Sequence, residues 1–90
     1  MTKVTVTKIT ATVTCGIKAM IDQNPAFAEF VSKSVHRHTN HDWGDTYDED
    51  KALNDADPES AMSTYRFTDD VKIWVKSEDG HIIVLFPSEY

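Results

Sequence analysis

The sequence predicts a single small α+β domain in which one antiparallel sheet, made of a C-terminal three-stranded meander and an N-terminal strand, packs against two or three helices. Three observations carry that expectation. Residues 62–86 hold three short apolar or alternating runs separated by turn formers. The segment after Asn24-Pro25 sets its apolar residues at helical spacing. Residues 1–14 are dominated by Thr, Val and Ile. The chain has 90 residues, 40% of them hydrophobic, a length that supports one core and one domain.

Residues 3–14 read as strand, because Thr and Val suit the pleated backbone. The alternation changes phase near Lys8, since Val4 and Val6 are even while Ile9, Ala11 and Val13 are odd. That calls for a bulge, or for a disordered start before a short strand at 9–14. Residues 16–23 put Ile17, Met20 and Ile21 on one helical face. Asn24 as N-cap and Pro25 at the first helical position open a second helix. Its apolar stripe is Phe27, Phe30, Val31 and Val35, and Lys33, Arg37 and the histidines fall towards its C-terminus, where the helix dipole favours positive charge.

Residues 39–45 collect turn formers. Thr46 with Glu49 three positions on is the pattern of a capping box, opening a short helix over 46–57 that Pro58 stops. Met62 to Phe67 then alternates, and Thr68-Asp69-Asp70 turns the chain. Val71, Ile73 and Val75 share one face of the next strand, opposite Lys72, Trp74 and Lys76. Asp79-Gly80 is a tight hairpin signal, and the apolar run Ile82 to Phe86 reads as a central or doubly covered strand.

The formal charge of −6 is unevenly spread. Residues 1–38 are basic by three charges, whereas residues 39–60 carry eight carboxylates against Lys51 alone. Such a block either solvates the protein or presents a negative face to a basic partner. The excess of acid argues against direct nucleic-acid binding, which in a small domain normally needs a basic stripe. One cysteine excludes an internal disulfide framework. No apolar run approaches the roughly 18 residues of a membrane span, and the N-terminus lacks the apolar core of a signal peptide. A soluble intracellular protein is expected.

From about Ile9 to Tyr90 the chain resembles a family of short bacterial proteins encoded on plasmids, prophages and other mobile elements. The residues that carry the resemblance are Arg37-His38 followed by Asp42-Trp43-Gly44-Asp45, then Glu49-Asp50-Lys51 and Asn54-Asp55. Ser63-Thr64-Tyr65, Lys72-Ile73-Trp74-Val75 and Val84-Leu85-Phe86-Pro87-Ser88-Glu89-Tyr90 complete it. The chain departs from the family after Val75, with Lys76-Ser77-Glu78-Asp79-Gly80 in place of a Thr-Glu-Ala-Asp-Arg type of segment. The resemblance implies a mobile-element origin and a bacterial host cytoplasm, and it brings no catalytic residues with it.

The candidate chemistry is thin. His36, His38 and His41, with His81 as a fourth ligand, are the one set with the residue types zinc prefers. His36 and His38 diverge by about 200° on a helix, however, and histidines at a helix C-terminus need no metal to explain them. Cys15 beside Gly16 has no neighbouring base, and is expected as a buried small residue. The carboxylates share one solvated environment, unlike the unequal pairs that catalyse. No cofactor is expected, and no enzyme. The leading expectation is a binding protein, an anti-CRISPR or antirestriction inhibitor whose acidic segment docks on a basic nucleic-acid-binding surface of a Cas or restriction complex. Its contact residues are Asp42, Trp43, Asp45, Tyr47, Asp48, Glu49, Asp50 and Asp55. Carboxylates one helical turn apart, about 6 Å, match the roughly 7 Å spacing of phosphates along a strand. Trp43 has two readings, a lid folded back on the core or an exposed anchor. A homo-oligomeric module, formed through a sheet edge, and a His-rich metal domain are the alternatives.

Overall fold

The computed structural model describes residues 2–6 and 9–90. The described residues form strands β1 (Thr2–Val6) and β2 (Ile9–Val13), helices α1 (Cys15–Gln23), α2 (Pro25–Thr39) and α3 (Asp48–Ala56), and strands β3 (Met62–Arg66), β4 (Lys72–Glu78) and β5 (His81–Leu85). The α+β class stands. Two expectations about the sheet are corrected. The single strand over 3–14 is two antiparallel strands, paired from Thr2 with Val13 to Val6 with Ile9; the bulge expected near Lys8 lies outside the described residues. The sheet is mixed rather than antiparallel, in the order β1-β2-β5-β4-β3, because β2 runs parallel to β5 with Ala11 opposite Ile82 and Val13 opposite Val84. A parallel pair needs a long crossover, and all three helices lie between these two strands in sequence.

The C-terminal meander forms as the alternation requires. β4 pairs with both β3 and β5, and Asp79 and Gly80, with φ of 49° and 79°, make the tight turn between β4 and β5. β5 is the central strand, which accounts for its unbroken apolar run.

α1 and α2 cover one sheet face. Ala11, Val13, Tyr65, Ile73, Val75 and Val84 meet Ile17, Phe27, Val31 and Val35 in one core. Phe27 is its aromatic centre, edge-on to Phe67 at 5.2 Å and near Phe30 and Phe86. The Asn24 side chain accepts from the Phe27 N–H, as its position before Pro25 anticipates. α1 is capped from afar. The Glu89 carboxylate accepts from Thr14 Oγ1 at 2.5 Å, from the Gly16 N–H at 3.1 Å and from the Phe86 N–H at 3.0 Å. Burial opposes its charge, but those hydrogen bonds hold the carboxyl below the usual range. Cys15, expected buried, is exposed at this helix start.

The loop before α3, with Asn54 of the helix itself, lies against the outer edge of β3 and supplies hydrogen bonds of a missing strand. The buried Asn54 amide donates to Met62 O at 2.8 Å and accepts from Met62 N at 3.2 Å. Thr46 Oγ1 accepts from Thr64 N, and Asp45 N donates to Thr64 O. An edge strand left bare invites other chains, so these few residues close one side of the sheet. Asn54→Ala removes both bonds at Met62 and is expected to lower the unfolding free energy by about 2 kcal/mol, read by urea denaturation.

Candidate acidic interface

The segment between α2 and α3 is fastened to the body by the residues that looked most like binding residues. Arg37 Nε and Nη2 donate to the two carboxylate oxygens of Asp42 at 2.8 and 3.1 Å. Asp42 Oδ1 also accepts from Gly44 N, and Asp42 O accepts from the Tyr65 hydroxyl at 2.6 Å. The hydrogen bond from Arg37 first, and then its charge, hold the Asp42 carboxyl below its ordinary range and raise the guanidinium. The Arg37 guanidinium also lies 4.9 Å from the Tyr65 ring centroid. Burial pushes the Tyr65 phenol up to about 12.

Trp43 is 4% exposed, edge-on to His38 at 5.4 Å and stacked on His41 at 5.2 Å, and its indole N–H donates to Asp55 Oδ1 at 2.8 Å. The exposed-anchor reading of Trp43 is therefore corrected: it is the lid over this end of the core. Asp42 stays exposed, and its carboxylate is paired with Arg37 within the chain. Asp42-Trp43-Gly44-Asp45 is the corner that turns the chain from α2 to the edge of β3, and Gly44 forms a bridge with Thr64 there.

The remaining carboxylates behave as the charge block suggested. Asp48, Glu49 and Asp50 form the first turn of α3, where the helix dipole favours them, and are exposed. Asp45 is exposed, and Asp48 meets Lys51 at 4.0 Å, a contact of little energy at the surface. Asp55 is exposed while holding the Trp43 indole. Tyr47 is 82% exposed and Leu53 67%, so two large apolar side chains stand among these acids. The expected capping box is corrected: Tyr47 is the N-cap with no side-chain bond, because Thr46 Oγ1 is spent donating to Trp43 O and accepting from Thr64 N.

The histidine set does not assemble. Among the described residues no three His, Cys, Asp or Glu side chains are grouped to hold a metal. His38 points into the core, with Nδ1 2.6 Å from Ser63 Oγ and Nε2 2.7 Å from Ser77 Oγ. His41 stacks on Trp43, His36 shares an open hollow with Ser32, Lys33 and Arg37, and His81 starts β5. Burial drives the His38 imidazole down to about 4, with a smaller push from His41, so it stays neutral over the physiological range. Its partners lie 25 and 39 residues away, and it ties α2 to β3 and β4.

Sequence reasoning missed the roles of His38, Asn54 and Glu89. The signal for Asn54 was present, as a polar residue on the inner side of a short helix. Those for His38 and Glu89 were not, because their partners are distant in the chain. No family model, curated protein or solved structure matches the chain.

Proposed function

We propose that the protein is a non-enzymatic inhibitor, carried by a mobile element and acting in the cytoplasm of a bacterial host, of a nucleic-acid-targeting defence system of the CRISPR or restriction type. It docks the start of α3 on Lys and Arg groups that the target uses to hold nucleic acid. The observation that supports this most is the composition of the α3 surface: Asp45, Asp48, Glu49, Asp50 and Asp55 are all exposed, and Tyr47 and Leu53 stand exposed among them. A negative rim steers the encounter, and desolvated aromatic and aliphatic side chains supply most of the affinity. The resemblance to mobile-element proteins points the same way. Trp43 leaves the contact set and becomes its support, while Asp42, exposed and paired with Arg37, borders it.

The test is a Cas or restriction complex challenged with the purified protein. Reversing Asp45, Asp48, Glu49 and Asp50 to Lys is expected to weaken inhibition by about thirtyfold or more, at roughly 0.5 kcal/mol or more per lost charge contact. The melting temperature is expected to stay within a few degrees, since these side chains carry no buried partner. Inhibition that survives the reversal removes the acidic mechanism.

A further inference from the structure

The helices leave one face of the sheet bare. Alternation from the buried residues places Lys3, Lys72, Lys76 and Arg66 on that opposite face, and cross-strand register sets Arg66 beside Lys72. Trp74 lies between Lys72 and Lys76, with Tyr90 edge-on to it at 5.6 Å and the Lys76 ammonium 5.5 Å from the Tyr90 ring centroid. Ile83 and Met62 add half-buried apolar surface on the same side. A chain of charge −6 thus gathers four of its nine basic residues on one face, where Glu78 is 3.6 Å from Lys76.

That face adjoins α3. Asp45, Tyr47 and Asp50 line a hollow of about 330 Å³ together with Arg66, Lys72 and Trp74. Leu53, one turn on from Asp50, continues the acidic side of the helix. Among the described residues the exposed large hydrophobic side chains are Tyr47, Leu53 and Tyr90. Two of them stand in α3 and its N-cap, and the third borders the basic face.

We propose that the bare sheet face and α3 form one self-complementary surface on which a second copy of this chain docks about a two-fold axis. Turning one copy by half a revolution lays its acidic helix over the partner's lysines and its own lysines under the partner's helix. Both contacts form together, as a two-fold interface requires. The mixed sign of the surface favours this occupant over a nucleic acid, which Asp45 and Asp50 at one margin and Glu78 and Asp79 at the other repel. Strands about 4.8 Å apart and roughly 17 Å long give a sheet about 19 Å wide, and α3 adds about 13 Å of helix beside it. A footprint of about 450 Å² per partner is below the roughly 800 Å² of a standard stable interface, which is why the dimer is expected to depend on protein concentration and on salt. The same start of α3 serves the inhibitor reading, so a second copy and a target compete for it; the test below contains no target and reads the dimer alone.

The test is light scattering behind size exclusion on the purified chain at about 100 μM and about 50 mM salt. The wild-type chain is expected at twice the monomer mass, reverting to monomer near 0.5 M salt as the charge contacts are screened. The double variants Glu49→Lys/Asp50→Lys and Lys72→Glu/Lys76→Glu are each expected to be monomeric, with circular dichroism unchanged. Mixed together they are expected to form a dimer, because each lysine-bearing helix then meets a glutamate-bearing sheet while the other half of the interface is native. A monomeric wild-type chain, or a mixture that stays monomeric while the wild type dimerises, overturns the proposal. Retention of a labelled thymidine oligonucleotide by a monomeric wild type assigns the face to single-stranded nucleic acid instead.

Discussion

His38→Ala is expected to lower the free energy of unfolding by about 4 kcal/mol. The ring is 3% exposed and its two nitrogens hold Ser63 and Ser77. Truncation empties a space beside Trp43 and leaves two hydroxyls without their partner, each a known source of large losses. Domains of this size have only about 5–15 kcal/mol in reserve. Urea denaturation gives the number. The same residue sets an acid limit. Above pH 6.5 the ring is neutral whether folded or unfolded, and contributes no slope. Between 6.5 and about 4 the unfolded chain takes up a proton that the folded chain excludes, so stability falls as pH falls. The loss amounts to about 1.4 kcal/mol per pH unit and about 3 kcal/mol in all. Below about 4 the folded form binds the proton too, and this contribution levels off. Asp42 and Glu89, whose carboxyls are held low, lose their stabilisation only as pH falls from the ordinary carboxylate range downwards. A His38→Gln variant is expected to show no stability slope from this site between pH 6.5 and 5, where those carboxylates are still largely ionised.

Gly44→Ala is the second large effect, with an expected loss of about 3 kcal/mol or more. Gly44 has φ of +65°, and a Cβ there would lie 2.3 Å from Thr64 O and 2.6 Å from the Tyr65 ring. The obstacle is backbone on one side and a buried ring on the other, so nothing moves aside cheaply. Gly80→Ala is the control. Its φ is +79°, but a Cβ there meets nothing within 4 Å. That change carries the left-handed backbone cost alone, about 1 kcal/mol. Thermal melts of the two variants side by side separate crowding from backbone preference.

Local signals in the sequence were legible where a residue and its partner are near neighbours. Asn24-Pro25 starts α2, Asp79-Gly80 turns β4 into β5, and the alternation of Lys72 to Lys76 sorts the two faces of β4. What stayed hidden depends on distant partners. The parallel pairing of β2 with β5 joins strands about seventy residues apart, and no local pattern records it. Thr46 matched a capping pattern but its hydroxyl was claimed by Trp43 and Thr64. His38 sits where a helix dipole explains a histidine, yet its burial comes from Ser63 and Ser77 on strands formed later in the chain.

The candidate interface divides along the same line. Asp45, Asp48, Glu49 and Asp50 are exposed because a run of like charges has no way to be buried together. Trp43 is turned inward and held by Asp55, while Asp42 stays exposed and is held by Arg37 through its carboxylate and by Tyr65 through its carbonyl. The exposed carboxylates are therefore of two kinds: Asp45, Asp48, Glu49 and Asp50 are open to a partner, and Asp42 and Asp55 also fix the corner that aims them.

The most direct test of the account measures how tightly an inhibited nuclease complex binds its own nucleic acid as this protein is added. The account predicts strict competition: the apparent dissociation constant for nucleic acid rises in proportion to the protein, and the variant reversed at Asp45, Asp48, Glu49 and Asp50 leaves it unchanged. A ternary complex, in which the nuclease holds nucleic acid and this protein together at undiminished affinity, contradicts it.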